Sequence, residues 1–124
     1  MIEILVPVSL GEIADKMSIL EVKSRKIVDQ DALENVLAEK EALTQVCSDH
    51  SIDFGKYLDE LVSINEKLWD ILQQQRDMEI EKRFGDEFAD ISMRVYKMND
   101  QRFSIKKRIN EKFVSSLKEE KQYD

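Results

Sequence analysis

At 124 residues the chain has room for one core, and a charged fraction of 36% with three glycines and one proline leaves too few turn residues for a many-stranded sheet. A net charge of −7 and an isoelectric point near 4.8 turn the molecular field against polyanions, which excludes nucleic acid and anionic membrane surfaces as expected partners. The single cysteine, Cys47, excludes an intrachain disulfide, so the class expected is an all-α protein of a reducing cytoplasm.

The start, "MIEILVPV", is apolar but has neither a positive n-region nor a small-residue cleavage site, so no signal peptide is expected, and no run approaches membrane-spanning length. Pro7 keeps these residues out of the helix that follows, and a short extended segment is expected over 1–8, in need of a partner. "SLGE", from Ser9 to Glu12, has the form of a capping box: Ser9 can accept from the Glu12 N–H, and the Glu12 carboxylate can reach back. A first helix is expected from Leu10 to Val28, with Leu10, Ile13, Met17, Leu20 and Ile27 on one stripe.

"DQD" at 29–31 breaks the pattern, and Asp31 can cap a second helix ending near Ser48; the two shorter helices together fill 10–48. Its stripe, Leu33, Val36, Leu37, Leu43, Val46 and Cys47, is thin and interrupted by Lys40. A third helix is expected to open at Asp53 and to carry Phe54, Tyr57, Leu61, Ile64, Leu68, Ile71 and Met78, closing at Phe84 and Gly85 with the glycine left-handed. Asp86 restarts a fourth helix with Phe88, Ile91, Val95, Met98, Ile105 and Ile109 in its stripe and Arg102 in the seam. So short a connection makes these two helices an antiparallel hairpin over 53–112, roughly 40 Å long at about 1.5 Å per residue. The charges agree: the fourth helix opens on Asp86, Glu87 and Asp90 and closes on Lys106, Lys107 and Arg108, as the macrodipole prefers. The tail, 113–124, loses the period and is a candidate partner for the N-terminal segment.

Chemistry-bearing constellations are sparse. Zinc needs about four ligands, whereas His50 is the sole histidine and has only Cys47 nearby, so no metal is expected. Gly11, Gly55 and Gly85 stand apart, so no phosphate loop is expected, and no cofactor. Lys106, Lys107 and Arg108 read as a solvated helix end.

What asks for a reason is asparagine, which competes with its own helix backbone, at matching places in "SINEKLWDI" (63–71) and "KMNDQRFSI" (97–105). Their offset equals the tetratricopeptide period, but that repeat's small residues and proline are missing, and a heptad pattern in two hairpin arms accounts for both. Asn65 and Asn99 fall beside the apolar seam, and Arg102 enters it near Leu68 and Asn65. A half-buried guanidinium needs a fixed acceptor; Asn65 can offer its amide oxygen, with Glu66 close by. A polar residue beside a seam selects one register and one partner. Trp69, Tyr96 and Phe103 lie off the hairpin's own seam and leave aromatic area to bury, so a homodimer is expected, with a further protein partner compatible with the same surface.

Two resemblances bear on function. "ADKMSILEVKSRK", 14–26, resembles the first helix of the all-helical chorismate mutases, in which an acid precedes a substrate-binding arginine at the spacing of Asp15 and Arg25. It implies an enzyme or binding protein that holds an anionic metabolite between Arg25 and Arg102, with Lys106 alongside. "PVSLGE" (7–12), "INEKLW" (64–69) and "YKMNDQR" (96–102) together resemble a family of short bacterial proteins known only as a domain of unknown function, and that resemblance implies no reaction or cofactor. The expected function is therefore a self-associating interaction or scaffold module without catalytic activity. The small helical enzyme is the competing reading. Asn65, Glu66, Asn99, Arg102, Arg25 and Lys106 form the candidate polar cluster.

Overall fold

The computed structural model describes residues 2–113. It contains four helices, α1 (Leu10–Lys26), α2 (Gln30–Asp49), α3 (Lys56–Ile80) and α4 (Asp86–Lys112), and no strand among the described residues. The all-α expectation holds, and helix packs on helix throughout.

α3 and α4 run antiparallel. Phe54 meets Phe113 edge-on at 5.6 Å, Glu60 meets Arg108 at 3.4 Å, and Gln75 donates to Ser92 at 2.9 Å, so positions rise along one helix as they fall along the other. The apolar stripes read from the sequence line this seam. Leu61, Ile64, Leu68, Ile71 and Met78 from α3 are buried, as are Ile91, Ile105 and Ile109 from α4. Each such side chain taken from water contributes about 1.5–3 kcal/mol, which outweighs the polar interruptions at Gln75 and Arg102.

α1 lies in the groove of this pair, antiparallel to α4, with Gly11 beside Asn110, Glu12 beside Lys106 and Asp15 beside Arg102. It buries one cluster with α3, α4 and the end of α2, built on Ala14, Cys47, Phe54, Leu61, Ile64, Ile105 and Ile109. A second cluster, Leu68, Ile71, Met78 and Ile91, belongs to α3 and α4 alone. α2 packs on α1 and makes no comparable helix contact with α3 or α4.

The structure corrects several boundaries. α3 opens at Lys56, after Gly55 at φ +57°, and ends at Ile80; the left-handed residue beyond it is Lys82 at φ +58°, while Gly85 is extended. α2 is capped by Asp29, which accepts from Ala32 N–H at 2.9 Å, and not by Asp31. At α1 half of the expected box forms: Ser9 Oγ accepts from Glu12 N–H at 3.3 Å, but the Glu12 carboxylate pairs with Lys106 across the helix interface. Ion pairing between helices draws it away from its own N-terminus. Residues 2–8 are exposed and lie outside any helix or strand, and the tail expected to pair with them lies, from residue 114, outside the described residues.

The largest correction is the face that α1 buries. Of the expected stripe Leu20 is buried, but Leu10, Ile13 and Met17 are only partly so, packed on the flank of the first cluster. The face against α3 and α4 is Gly11, Ala14, Asp15, Ser18 and Val22, small or polar residues at steps of three and four. Small side chains let the helices approach closely, and at Gly11 the approach is closest: a Cβ there would stand 2.6 Å from the Lys106 carbonyl oxygen and 2.9 Å from Asn110 Oδ1.

Gly11→Ala is therefore expected to lower the unfolding free energy by about 1–3 kcal/mol through overpacking, against the roughly 1 kcal/mol that alanine ordinarily adds inside a helix. Gly85→Ala, in open space, is expected to change it by less than about 1 kcal/mol. Urea denaturation of both variants measures the contrast.

Candidate functional site

The buried face of α1 carries a carboxylate, and a carboxylate in a core must be paired and hydrogen-bonded. Asp15 is 3% exposed. Arg102, from α4, grips it with two parallel bonds, Nε to Oδ1 at 2.8 Å and Nη2 to Oδ2 at 2.5 Å. This fork geometry is what arginine provides and lysine does not. Hydrogen bonding to Asp15 raises the Arg102 pKa above its ordinary value against the opposing effect of burial, so the guanidinium stays charged.

Asn65, from α3, completes the hub. Its Nδ2 donates to Asp15 Oδ1 at 3.1 Å and to Ser18 Oγ at 2.7 Å. Ser18 Oγ gives its own proton to the Asp15 carbonyl at 2.6 Å, so it can only accept from Asn65. Both neighbours being acceptors, the amide orientation is fixed: nitrogen toward α1, oxygen away. Further along α1, Gly11 N–H donates to Asn110 Oδ1 at 2.7 Å, and Lys106, whose side chain is only 14% exposed, pairs with Glu12. Lys106 thus belongs to the helix interface and not to a solvated end.

Of the six candidate residues, Asn65 and Arg102 come together, but through Asp15 and not by direct contact. Asn99 is exposed and, with Asn65 and Arg102, borders a hollow of about 160 Å³ whose remaining walls are Ile19, Val22, Leu68, Trp69 and Leu72. Leu68, Asn65 and Arg102 do therefore meet in one place, as the seam position of Arg102 suggested. Glu66 points elsewhere: it accepts from Arg25 Nη1 at 2.8 Å.

Arg25 and Glu66 line a separate, wider groove of about 700 Å³ to which α1, α2 and α3 all contribute. Its charges are largely paired within the protein, Arg25 with Glu66 and Glu21, Lys40 with Glu21, and Lys26 with the groove residue Asp70. The Lys40 hydrogen bond, foremost, holds the Glu21 carboxyl below its ordinary pKa. Its pairing therefore stabilises the fold at neutral pH and loses that effect only as the pH falls through the depressed range. Arg25 and Arg102 border different hollows and each is engaged by carboxylates, so the two-arginine clamp for one anion is not formed.

Cys47 is buried, its thiol pushed up in pKa by desolvation and its Sγ 3.7 Å from Met17 Sδ, while the His50 ring lies 2.9 Å from the Val46 carbonyl. The two do not form a nucleophile and its base. Among the described residues, no group of three or more His, Cys, Asp or Glu side chains could hold a metal, and no helix is long and apolar enough to cross a membrane.

Sequence reasoning missed Asp15 as the acceptor of Arg102, and with it Ser18, Gly11 and Asn110. The available signal was the recurrence of small and polar residues along α1 at helical steps.

The model of a family described as "Family of unknown function (DUF6165)" matches residues 4–124 of the chain. No curated protein and no solved structure matches the chain.

Asn65→Leu removes a side-chain donor to Ser18 Oγ and one of the donors to Asp15 at a buried position. It is expected to reduce stability by about 2 kcal/mol, whereas Asn99→Ala, at an exposed position, is expected to stay within about 0.5 kcal/mol of the parent. Equal effects in chemical denaturation contradict this assignment of roles.

Proposed function

Because the chain belongs to that family of unknown function, we propose its role from its surface: it is a self-associating interaction module. The observation that carries this reading is the N-terminal segment, where Ile2, Ile4, Leu5 and Val6 lie outside any helix and are 87%, 77%, 88% and 66% exposed. Once paired as a strand, this segment sets Ile2, Ile4, Val6 and Val8 on one face by alternation. An exposed apolar strand is a template for pairing with another chain, and proteins that remain monomeric blunt such edges with charge. Here Glu3 is the only charge between residues 2 and 8.

A two-stranded ribbon is only marginally stable in water and needs an apolar surface to lie on. The protein has one: Trp69, Leu72, Tyr96 and Phe103 are exposed on α3 and α4. Reciprocal burial of the segment and this surface in a second copy removes both from water. The surface explains why Trp69, Tyr96 and Phe103 stand off the hairpin seam. The enzyme reading has no comparable support, since its two arginines do not share a pocket.

Sedimentation equilibrium is expected to give twice the 14.6 kDa chain mass at micromolar concentration. The double variant Ile4→Lys/Val6→Lys is expected to sediment as a monomer with unchanged helical circular dichroism. A parent protein that stays monomeric at a hundred micromolar, or a variant that dimerises as the parent does, overturns the proposal.

A further inference from the structure

α2 packs on α1 without touching α3, yet α2 and α3 both line the groove of about 700 Å³, so the two helices stand apart across it. None of Trp69, Leu72, Tyr96 and Phe103 lines it, so it is separate from the surface assigned to self-association.

Most charges of the lining are paired within the protein, Arg25 with Glu21 and Glu66, Lys40 with Glu21, and Asp70 with Lys26. These compensate one another and attract no ion of either sign. Asp59 and Lys67, both exposed on α3, are different: they enter no ion pair and no side-chain hydrogen bond among the described residues. With nothing to hold them, both side chains can turn toward a ligand. They stand eight positions apart, which is about 12 Å along the axis at about 1.5 Å per residue. A molecule with a positive and a negative end at that separation meets both charges at once. Beside them the lining offers apolar contact from Met17, Leu58 and Val62 and hydroxyls from Thr44 and Ser63. Thr44 Oγ1 donates to the Lys40 carbonyl at 2.8 Å, which leaves its lone pairs to accept an N–H.

The volume points to the same length. In packed sheets an extended chain takes about 4.8 Å by about 10 Å in section and about 3.4 Å in rise, roughly 160 Å³ per residue. The groove therefore holds about four extended residues, which run about 13 Å from end to end. Volume and charge spacing are separate observations, and they agree. We infer that the groove binds a short extended peptide of about four residues with free ends, its ammonium group at Asp59, its carboxylate at Lys67 and its apolar side chains on Met17, Leu58 and Val62. A long ω-amino acid carries the same end groups at the same separation but has no backbone amides for the two hydroxyls.

The full chain, labelled with nitrogen-15, is titrated with tetraalanine while the backbone amide resonances of Thr44, Ser63 and Lys67 are followed. Saturable shifts at all three are expected, with a dissociation constant on the order of one millimolar. Acetylating the peptide's N-terminus or amidating its C-terminus is each expected to weaken binding about three- to fivefold, the effect of one exposed ion pair. Dialanine, too short to reach both ends, is expected to bind roughly tenfold more weakly. Asp59→Asn is expected to abolish the effect of acetylation and to keep that of amidation, and Lys67→Gln the reverse. Both positions are exposed, and unchanged helical circular dichroism confirms that the variants are folded. No saturable shift, dialanine matching tetraalanine, blocked peptides binding as well as free ones, or end effects that survive both substitutions each overturns the inference. So does 11-aminoundecanoate binding as tightly as tetraalanine, which assigns the groove to a long zwitterion and not to a peptide.

Discussion

A carboxylate held in the middle of a helix interface dictates how three of the four helices sit. Asp15 is buried on α1, and an ionised carboxylate there is tolerated only with its lone pairs filled. Arg102 fills three of the geometric requirements at once, charge, planarity and two parallel donors, and it comes from α4; Asn65 supplies a third donor from α3. Apolar stripes alone would let α1 slide or rotate in the groove of the hairpin. The hub permits one position along the axis and one rotation, and the Gly11 to Asn110 contact fixes a second point about one helical turn away.

The arrangement of small side chains follows from this constraint. For a guanidinium on α4 and an amide on α3 to reach the same carboxylate, the helix backbones must stand close, and Gly11, Ala14 and Ser18 leave that space. A face so built buries little apolar area, so α1 takes the rest of its hydrophobic stabilisation from its flanks, Leu10, Ile13 and Met17, which pack near Cys47 and Phe54. α2 covers that flank, tied by Lys40 to Glu21 and by Lys16 to Glu39. Where α1 ends, the hairpin continues as two helices only, with Ile71, Met78 and Ile91 buried between them.

The hairpin was legible in the sequence because its stripes alternate three and four with large apolar residues, a pattern that few other structures satisfy. Arg102 in the seam was also legible as a residue in want of an acceptor. The acceptor was not, for a physical reason: Asp15 stands among small and polar neighbours that look like a solvated helix face, and only the placement of α1 against α3 and α4 shows that the face is buried. Its spacing from Arg25 pointed instead to an anion clamp, yet Arg25 is taken by Glu66 of α3 and shares no ligand position with Arg102. Gly85 misled in a simpler way, because the left-handed turn fell to Lys82 and left the glycine extended. The hollow beside Asn65 could not be read at all from one-dimensional spacing, since it is bounded by three helices at once.

The claim that the Asp15–Arg102 pair sets the helix packing is tested most directly by a double-mutant cycle, with Asp15→Ala, Arg102→Ala and the combined variant compared by urea denaturation. A pair that acts as one unit predicts a coupling energy on the order of 2 kcal/mol, each single change leaving a buried partner unsatisfied that the double change removes. Free energies that add to within about 0.5 kcal/mol would contradict it and return the packing of α1 to its apolar flanks.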